Sequence, residues 1–323
     1  MKAEQEFSVS RRPSLTDVPG ILVGHHTLQA RPSGCTVVTS HAPMVAGVDI
    51  RGGAPGTRET DLLRPENMVT GIHAVFLSGG SAFGLDVGTG VARYLEEQGI
   101  GYRAGPHVVP IVCGAILFDL GPGDSRVRPD AAAGYEAIRI ASAAPVEEGN
   151  VGAGAGCTVG KMLGPDHSMK GGIGSWSVSR ADGLMVGALA AVNCVGDVLD
   201  PDRGEIVAGA RRSDGGGFWN TMDQMRKGFR PDMFVGGNTV IGVVATDATL
   251  DKASCTKVAQ MAQDALARCI YPAHTPADGD AIFSLATGQH RIECSPANVG
   301  IIGALAADVL ARAILRGCQA AGI

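Results

Sequence analysis

Aromatic residues make up only 4% of this 323-residue chain, so large rings cannot fill the interior, and Ala, Val, Ile and Leu must do so. The eight cysteines (Cys35, Cys113, Cys157, Cys194, Cys255, Cys269, Cys294 and Cys318) are scattered, with no Cys-x-x-Cys pair. That pattern fits buried, reduced thiols better than a zinc site or a disulfide framework. There is no run of Lys and Arg, and the formal net charge is −5, which argues against nucleic acid or an anionic membrane surface as partner. No uninterrupted apolar run reaches the roughly 18 residues needed to span a bilayer. Met1 to Pro13 is charged and polar where a signal peptide would be apolar. The expectation is a cytoplasmic protein that acts on a small molecule or short peptide.

What the chain has in excess is glycine, 47 of 323 residues, about twice the usual share of roughly 7%. Such a composition suits closely approaching layers joined by tight turns. Length alone suggests about two domains, but the absence of a repeat, a low-complexity tract or a Pro/Ser-rich linker favours one unit spanning residues 1–323. Ala74 to Leu77 reads as a strand, followed by the turn Ser78-Gly79-Gly80-Ser81-Ala82-Phe83-Gly84 and an amphipathic helix from about Leu85 to Gln98. Gly183 to Asn193 reads as a long apolar strand, and another begins at Thr239 and runs through Thr246. A helix is predicted over about Lys252 to Cys269, a strand over Ala281 to Ala286, and a last helix over about Ala297 to Arg316. The α/β pattern predicts helices pressed on sheet.

Several segments bear polar groups suited to chemistry. Gly236-Gly237-Asn238 leads directly into Thr239. Locally this reads first as a turn before a strand. Cut between Asn238 and Thr239, however, the chain would gain a hydroxyl nucleophile and an α-amine on one residue, and that amine, with a pKa of about 8, can accept the hydroxyl proton. The polar, glycine-rich stretch from Pro201 to Pro231 is expected to be exposed and open to cleavage. Ser81 sits between a predicted strand and helix, but its Gly79-Gly80-Ser81-Ala82-Phe83 context lacks the final glycine of a hydrolase elbow. A helix cap or a substrate-loop residue is the better reading of Ser81. The glycines around it match neither a Walker A loop nor a dinucleotide fingerprint. Asn193, at a strand end, is either a turn former or an oxyanion donor. Lys161 follows the small-residue run Gly152 to Gly160, and a solvent-facing lysine is its plain reading. Asp278 and Asp280 lie in a Pro/Gly turn and are too few to assert a metal site. His274 is the nearest histidine in sequence to these groups and is given no catalytic role, because the α-amine supplies the base.

Three stretches together, Asp49 to Leu63 (DIRGGAPGTRETDLL), Leu77 to Asp86 (LSGGSAFGLD) and Gly237 to Asp247 (GNTVIGVVATD), resemble the P1 family of peptidases, the aminopeptidase/D-esterase or β-aminopeptidase group. The resemblance runs from Gly20 through the last helix. It implies a layered α-β-β-α sandwich similar to N-terminal-nucleophile (Ntn) hydrolases, autoprocessed into residues 1–238 and 239–323. The threonine and the Asp278-Gly279-Asp280 turn look closer to the branch of nylon-oligomer (6-aminohexanoate oligomer) hydrolases. By that resemblance Thr239 is the nucleophile, Asn238 and Thr239 flank the cleavage site, and Lys161, Asn193, Asp278 and Asp280 complete the catalytic set. Phe118 stands where several members carry a tyrosine, so any hydroxyl role there is lost. Ser81 and Phe118 are assigned to the substrate site, and no metal or cofactor is implied. The resemblance also implies homo-oligomers of processed protomers, such as tetramers.

The expected activity is that of an amidase or aminopeptidase acting on short peptides, amino-acid amides or esters, or aliphatic amide oligomers. Acyl transfer of the ornithine-acetyltransferase type and an unprocessed binding scaffold are the competing functions. No local motif encodes the substrate, because pocket shape decides it.

Overall fold

The structure is a computed structural model that describes residues 12–121, 123–229 and 237–322. Nine strands carry the architecture: β1 (Ile21–Thr27), β2 (Gly34–Ile50), β3 (Thr57–Arg58), β4 (Ile72–Ser78), β5 (Val112–Ile116), β6 (Ile173–Ser179), β7 (Met185–Asn193), β8 (Thr239–Ala248) and β9 (Ala281–His290). They run in the order β6-β7-β8-β9-β2-β4-β5-β3, with β1 also paired to β2. The 17-residue β2 joins two layers, because its first half pairs with β1 and β4 and its second half with β9. The helices are α1 (Val87–Glu97), α2 (Ala131–Arg139), the short α3 (Thr221–Arg226), α4 (Lys252–Ala262), α5 (Asp264–Cys269) and α6 (Pro296–Ala320).

Side-chain alternation along the strands sorts the apolar residues into three cores. In β8, Val240 and Val244 join Leu266, Leu310 and Ile314 from the helices α5 and α6. Ile241, Val243 and Ala245 point the other way, toward Val75, Leu77 and Phe283. Because both faces are covered, all ten residues of β8 are buried, which accounts for its nearly unbroken apolar sequence. Phe76 and Ala74 of β4 meet Val91 and Leu95 of α1 and Ala137 of α2. The order of layers is therefore helix, sheet, sheet, helix, as the α-β-β-α expectation requires.

Two predicted elements differ in detail. The helix expected from Lys252 to Cys269 is interrupted at Gln263, whose side chain turns inward and donates from Nε2 to the Asp49 carbonyl at 2.8 Å. The helix after the glycine turn starts as a 3-10 segment, Ser81–Asp86, before α1 proper. Although no uninterrupted apolar run reaches bilayer length, α6 is by length and composition apolar enough to cross a membrane, with 56% of its apolar window buried. Within this fold α6 packs on β6, β7 and α4. The part of the predicted Pro201 to Pro231 loop beyond Phe229, and Gly236, lie outside the described residues. All eight cysteines are free thiols, and only Cys294 is exposed.

Phe283 is fully buried between the sheets, whereas Met68 is 77% exposed. In urea melts Phe283→Ala should cost about 3–5 kcal/mol, while Met68→Ala should stay within about 0.5 kcal/mol of the parent.

Candidate active site

The site forms where three strands share one end. β7 is antiparallel to β8, which places Asn193 opposite Thr239, and β8 is parallel to β9, with Ile241 opposite Ala281. Asp278, Gly279 and Asp280 immediately precede β9, so the parallel register brings them beside the first residue of β8. A further parallel bridge joins Asn238 to Asp278. Thr239, Asn238, Asn193, Asp278 and Asp280 are all buried. An exposed aspartate turn, the plain reading of residues 278 and 280, does not hold.

The Asn238 carbonyl is the focus of this geometry. Its oxygen accepts the Thr239 hydroxyl at 2.5 Å and the Gly279 N–H at 3.0 Å. The hydroxyl is thus held against the carbonyl that precedes it, and a backbone donor already sits on the oxygen where charge would develop. Asn193 does not occupy that place. Its Nδ2 donates to the carbonyls of Phe118, 3.0 Å, and Gly237, 3.3 Å, while its Oδ1 accepts the Thr158 N–H at 3.0 Å.

Lys161, whose plain local reading was a solvent-facing lysine and whose resemblance reading was catalytic, reaches back to this cluster. Its ammonium donates to the Asn193 carbonyl at 2.9 Å, to Asn193 Oδ1 at 2.8 Å and to the Gly237 carbonyl at 3.3 Å. Burial pushes its pKa down to about 8, against the opposing pull of nearby Cys194, Cys157 and Asp278. Asp278 moves the other way. Burial, reinforced by the neighbouring Asp280 charge, raises its pKa to about 6, although its Oδ2 accepts the Thr275 N–H at 2.6 Å. Asp280 accepts the Val240 N–H on Oδ1 at 2.8 Å, and on Oδ2 the N–H of His274 at 3.1 Å and its Nδ1 at 2.9 Å.

The backbone of Gly237 is not in the left-handed region. What it supplies is space, since a Cβ there would lie 2.8 Å from the Phe118 Cβ. Phe118 therefore meets the site through its carbonyl and the base of its side chain. Ser81 is in the left-handed region, with φ 56°, and its N–H donates to the Leu117 carbonyl at 3.0 Å. The capping expectation for Ser81 fails, because Gly80 holds the cap position and no side chain caps this turn. Among the described residues, neither histidine nor carboxylate is hydrogen-bonded to its hydroxyl, and its hydrogen bond to Leu117 does not involve Thr239.

The segment Asp49 to Leu63, read as a family signature without a task, braces the aspartate turn through its backbone. Arg51 N–H donates to the Asp280 carbonyl at 3.0 Å, Gly53 N–H to Thr275 at 3.2 Å and Ala54 N–H to Asp278 at 2.8 Å. A Cβ on Gly52 would fall 2.2 Å from the Asp278 carbonyl oxygen. The only sequence signal for this role was the unusual glycine pair itself. Among the described residues, no group of three or more His, Cys, Asp or Glu converges to hold a metal.

This chain matches Peptidase family S58 over residues 13–322. It belongs to that family. It is 43% identical to an uncharacterized aminopeptidase of Mycobacterium leprae, covering 94% of this chain and 89% of that protein. A 6-aminohexanoate-oligomer endohydrolase of Kocuria sp. is 28% identical over 97% of this chain and 88% of its own length. Among solved structures, a Burkholderia sp. beta-aminopeptidase superposes with a TM-score of 0.70 at 24% identity, covering 96% of this chain and 87% of that one. The L-aminopeptidase D-Ala-esterase/amidase of Ochrobactrum anthropi, described as a variant of the Ntn hydrolase fold, gives a TM-score of 0.71 at 21% identity, covering 98% and 88%. The fold of this chain is thus that of the Ntn-type aminopeptidases, and membership of family S58 makes it a peptidase or amidohydrolase.

The raised pKa of Asp278 has a signed consequence for stability. The folded chain holds that proton up to about pH 6 and the unfolded chain only to about pH 4, so this contribution is present at low pH and is lost as pH rises through about 6. Asp278→Asn removes the loss. In urea melts the variant should gain stability relative to the parent between pH 4 and pH 7; a difference that stays constant across that range would contradict burial of the charge as the cause.

Proposed function

We propose that this S58 peptidase is synthesised as a precursor that cuts its own Asn238–Thr239 bond and then works as an amidohydrolase or aminopeptidase with Thr239 as N-terminal nucleophile. The observation that carries this reading is the Thr239 hydroxyl held on the Asn238 carbonyl oxygen, which also accepts the Gly279 N–H. Processing would leave chains of 238 residues and 323 − 238 = 85 residues.

Before cleavage the α-amine of Thr239 is part of a peptide bond and cannot act as base, so a side chain must take the hydroxyl proton. Asp278 is given that task, being buried, joined to Asn238 by a parallel bridge and, with a pKa of about 6, ionised at neutral pH. As the hydroxyl oxygen bonds to the Asn238 carbonyl carbon, the oxygen's negative charge is held by the Gly279 N–H. The C–N bond then breaks, and the proton from Asp278 passes to the departing Thr239 nitrogen. Water hydrolyses the resulting ester, leaving a carboxylate on Asn238 and freeing the hydroxyl and amine of Thr239.

In turnover the new amine takes the proton from its own hydroxyl, and the hydroxyl attacks a substrate amide to form an acyl-enzyme. Departure of the Gly237–Asn238 segment would release donors now engaged with it. The Gly279 N–H loses the Asn238 oxygen, and Asn193 Nδ2 and Lys161 lose the Gly237 carbonyl. Asn193 is then assigned to the substrate oxyanion and Lys161 to the developing charge. Short peptides, amino-acid amides and aliphatic amide oligomers are the proposed substrates, supported by the aminopeptidase and oligomer-hydrolase names of the relatives.

On denaturing gels Thr239→Ala should remain one chain and Thr239→Ser should still split; an alanine variant that splits like the parent would rule out the hydroxyl as nucleophile. The rate of processing should rise as Asp278 ionises through about pH 6, and the kcat of the processed enzyme should decline as Lys161 loses its proton through about pH 8. A time course of band appearance from pH 5 to 7 measures the first and amide turnover from pH 7 to 9 the second; a flat processing profile would remove Asp278 from the mechanism, and a flat turnover profile Lys161.

A further inference from the structure

His274 is bound to the site by geometry that its sequence position did not disclose. It lies in the turn before β9 with φ 57°, in the left-handed region where, glycine apart, Asn, Asp and His are the enriched residues. In that conformation its backbone N–H and its Nδ1 both face one oxygen, Asp280 Oδ2, at 3.1 and 2.9 Å. The other oxygen of Asp280 takes the N–H of Val240, the residue that follows Thr239, at 2.8 Å. Among the described residues Nε2 of the ring is buried with no partner, and the hydrogen bond of the ring goes to Asp280, which assigns the proton to Nδ1.

We propose that His274 is a positioning residue for the nucleophile. Its paired donors fix the rotamer of Asp280, and Asp280 in turn fixes the amide of Val240 and hence the direction in which Thr239 presents its hydroxyl. A carboxylate held by a single donor can swing about its χ angles; with three donors on two oxygens it has one orientation. The geometry matters because a nucleophile displaced by a fraction of an ångström loses much of its advantage of proximity. His274 itself touches neither the scissile carbonyl nor Thr239 among its hydrogen bonds, so it acts through Asp280 and exchanges no proton with the reacting atoms.

The inference rests on processing at Asn238–Thr239 as proposed above, and its test separates the two. If the parent protein is not cut at that bond, the processing reading fails before any variant is compared. If it is cut, the comparison is between His274→Asn and His274→Gly. Both residues tolerate φ 57°, but only asparagine keeps a side-chain donor near the place of Nδ1. The asparagine variant should process within about threefold of the parent, and the glycine variant at least about tenfold more slowly, the scale of one hydrogen bond to a charged group. In the processed enzymes KM for an amino-acid amide should be alike while kcat falls in the glycine variant. If glycine prevents folding, His274→Asp replaces it, being the size of asparagine but presenting an acceptor to Asp280. Slow processing with aspartate beside near-normal processing with asparagine supports the proposal. Equal rates for asparagine and whichever donor-free variant folds, or an unchanged kcat in that variant, overturn it.

Discussion

The parallel pairing of β8 with β9 is the constraint on which the rest depends. A parallel pair needs a crossover, here provided by α4 and α5, and it starts both strands at the same edge of the sheet. That arrangement alone puts Thr239 beside Asp278, Gly279 and Asp280 although some 40 residues separate them. The antiparallel neighbour β7 ends at this edge and contributes Asn193. Cores on both faces of the sheet then exclude water from the groups at its end, which strengthens every interaction there.

Burial at such an edge is costly unless each polar group finds a partner. Asn193 meets this demand with bonds to Thr158, Lys161, Phe118 and Gly237, and Asp280 with bonds to Val240 and His274. Two groups remain poised. Lys161 is pushed down to about 8 and Asp278 up to about 6 by the same cause, loss of water around a charge. Their displacement toward neutrality narrows the gap between an acid and a base, which suits proton transfer near pH 7. The site therefore holds a cation and an anion in surroundings that favour neither, a condition stable cores avoid and catalytic centres exploit.

Much of the architecture was legible because its signals are local. The nearly unbroken apolar runs of β7 and β8 follow from strands covered on both faces, and the apolar stripe of α6 announces a core helix. The break at Gln263 was not legible, since glutamine is a good helix former and only the distant Asp49 carbonyl gives its side chain a reason to turn inward. Lys161 likewise reads as a surface lysine until the ends of β7 and β8 are brought together in space. Family resemblance, not spacing, singled out Lys161, Asn193 and the aspartates. The bracing by Arg51, Gly53 and Ala54 left no side-chain trace, because amide donors are common to every residue but proline. His274 was passed over for a related reason. Its role depends on a left-handed backbone angle that a histidine codon does not announce.

The account centres on one bond, so the most direct test is intact-mass measurement of the purified parent protein under denaturing conditions. The account predicts two species whose junction lies between Asn238 and Thr239, with masses that sum to the 323-residue chain plus one water. A full-length chain that hydrolyses amides, or a junction at any other bond, would contradict it.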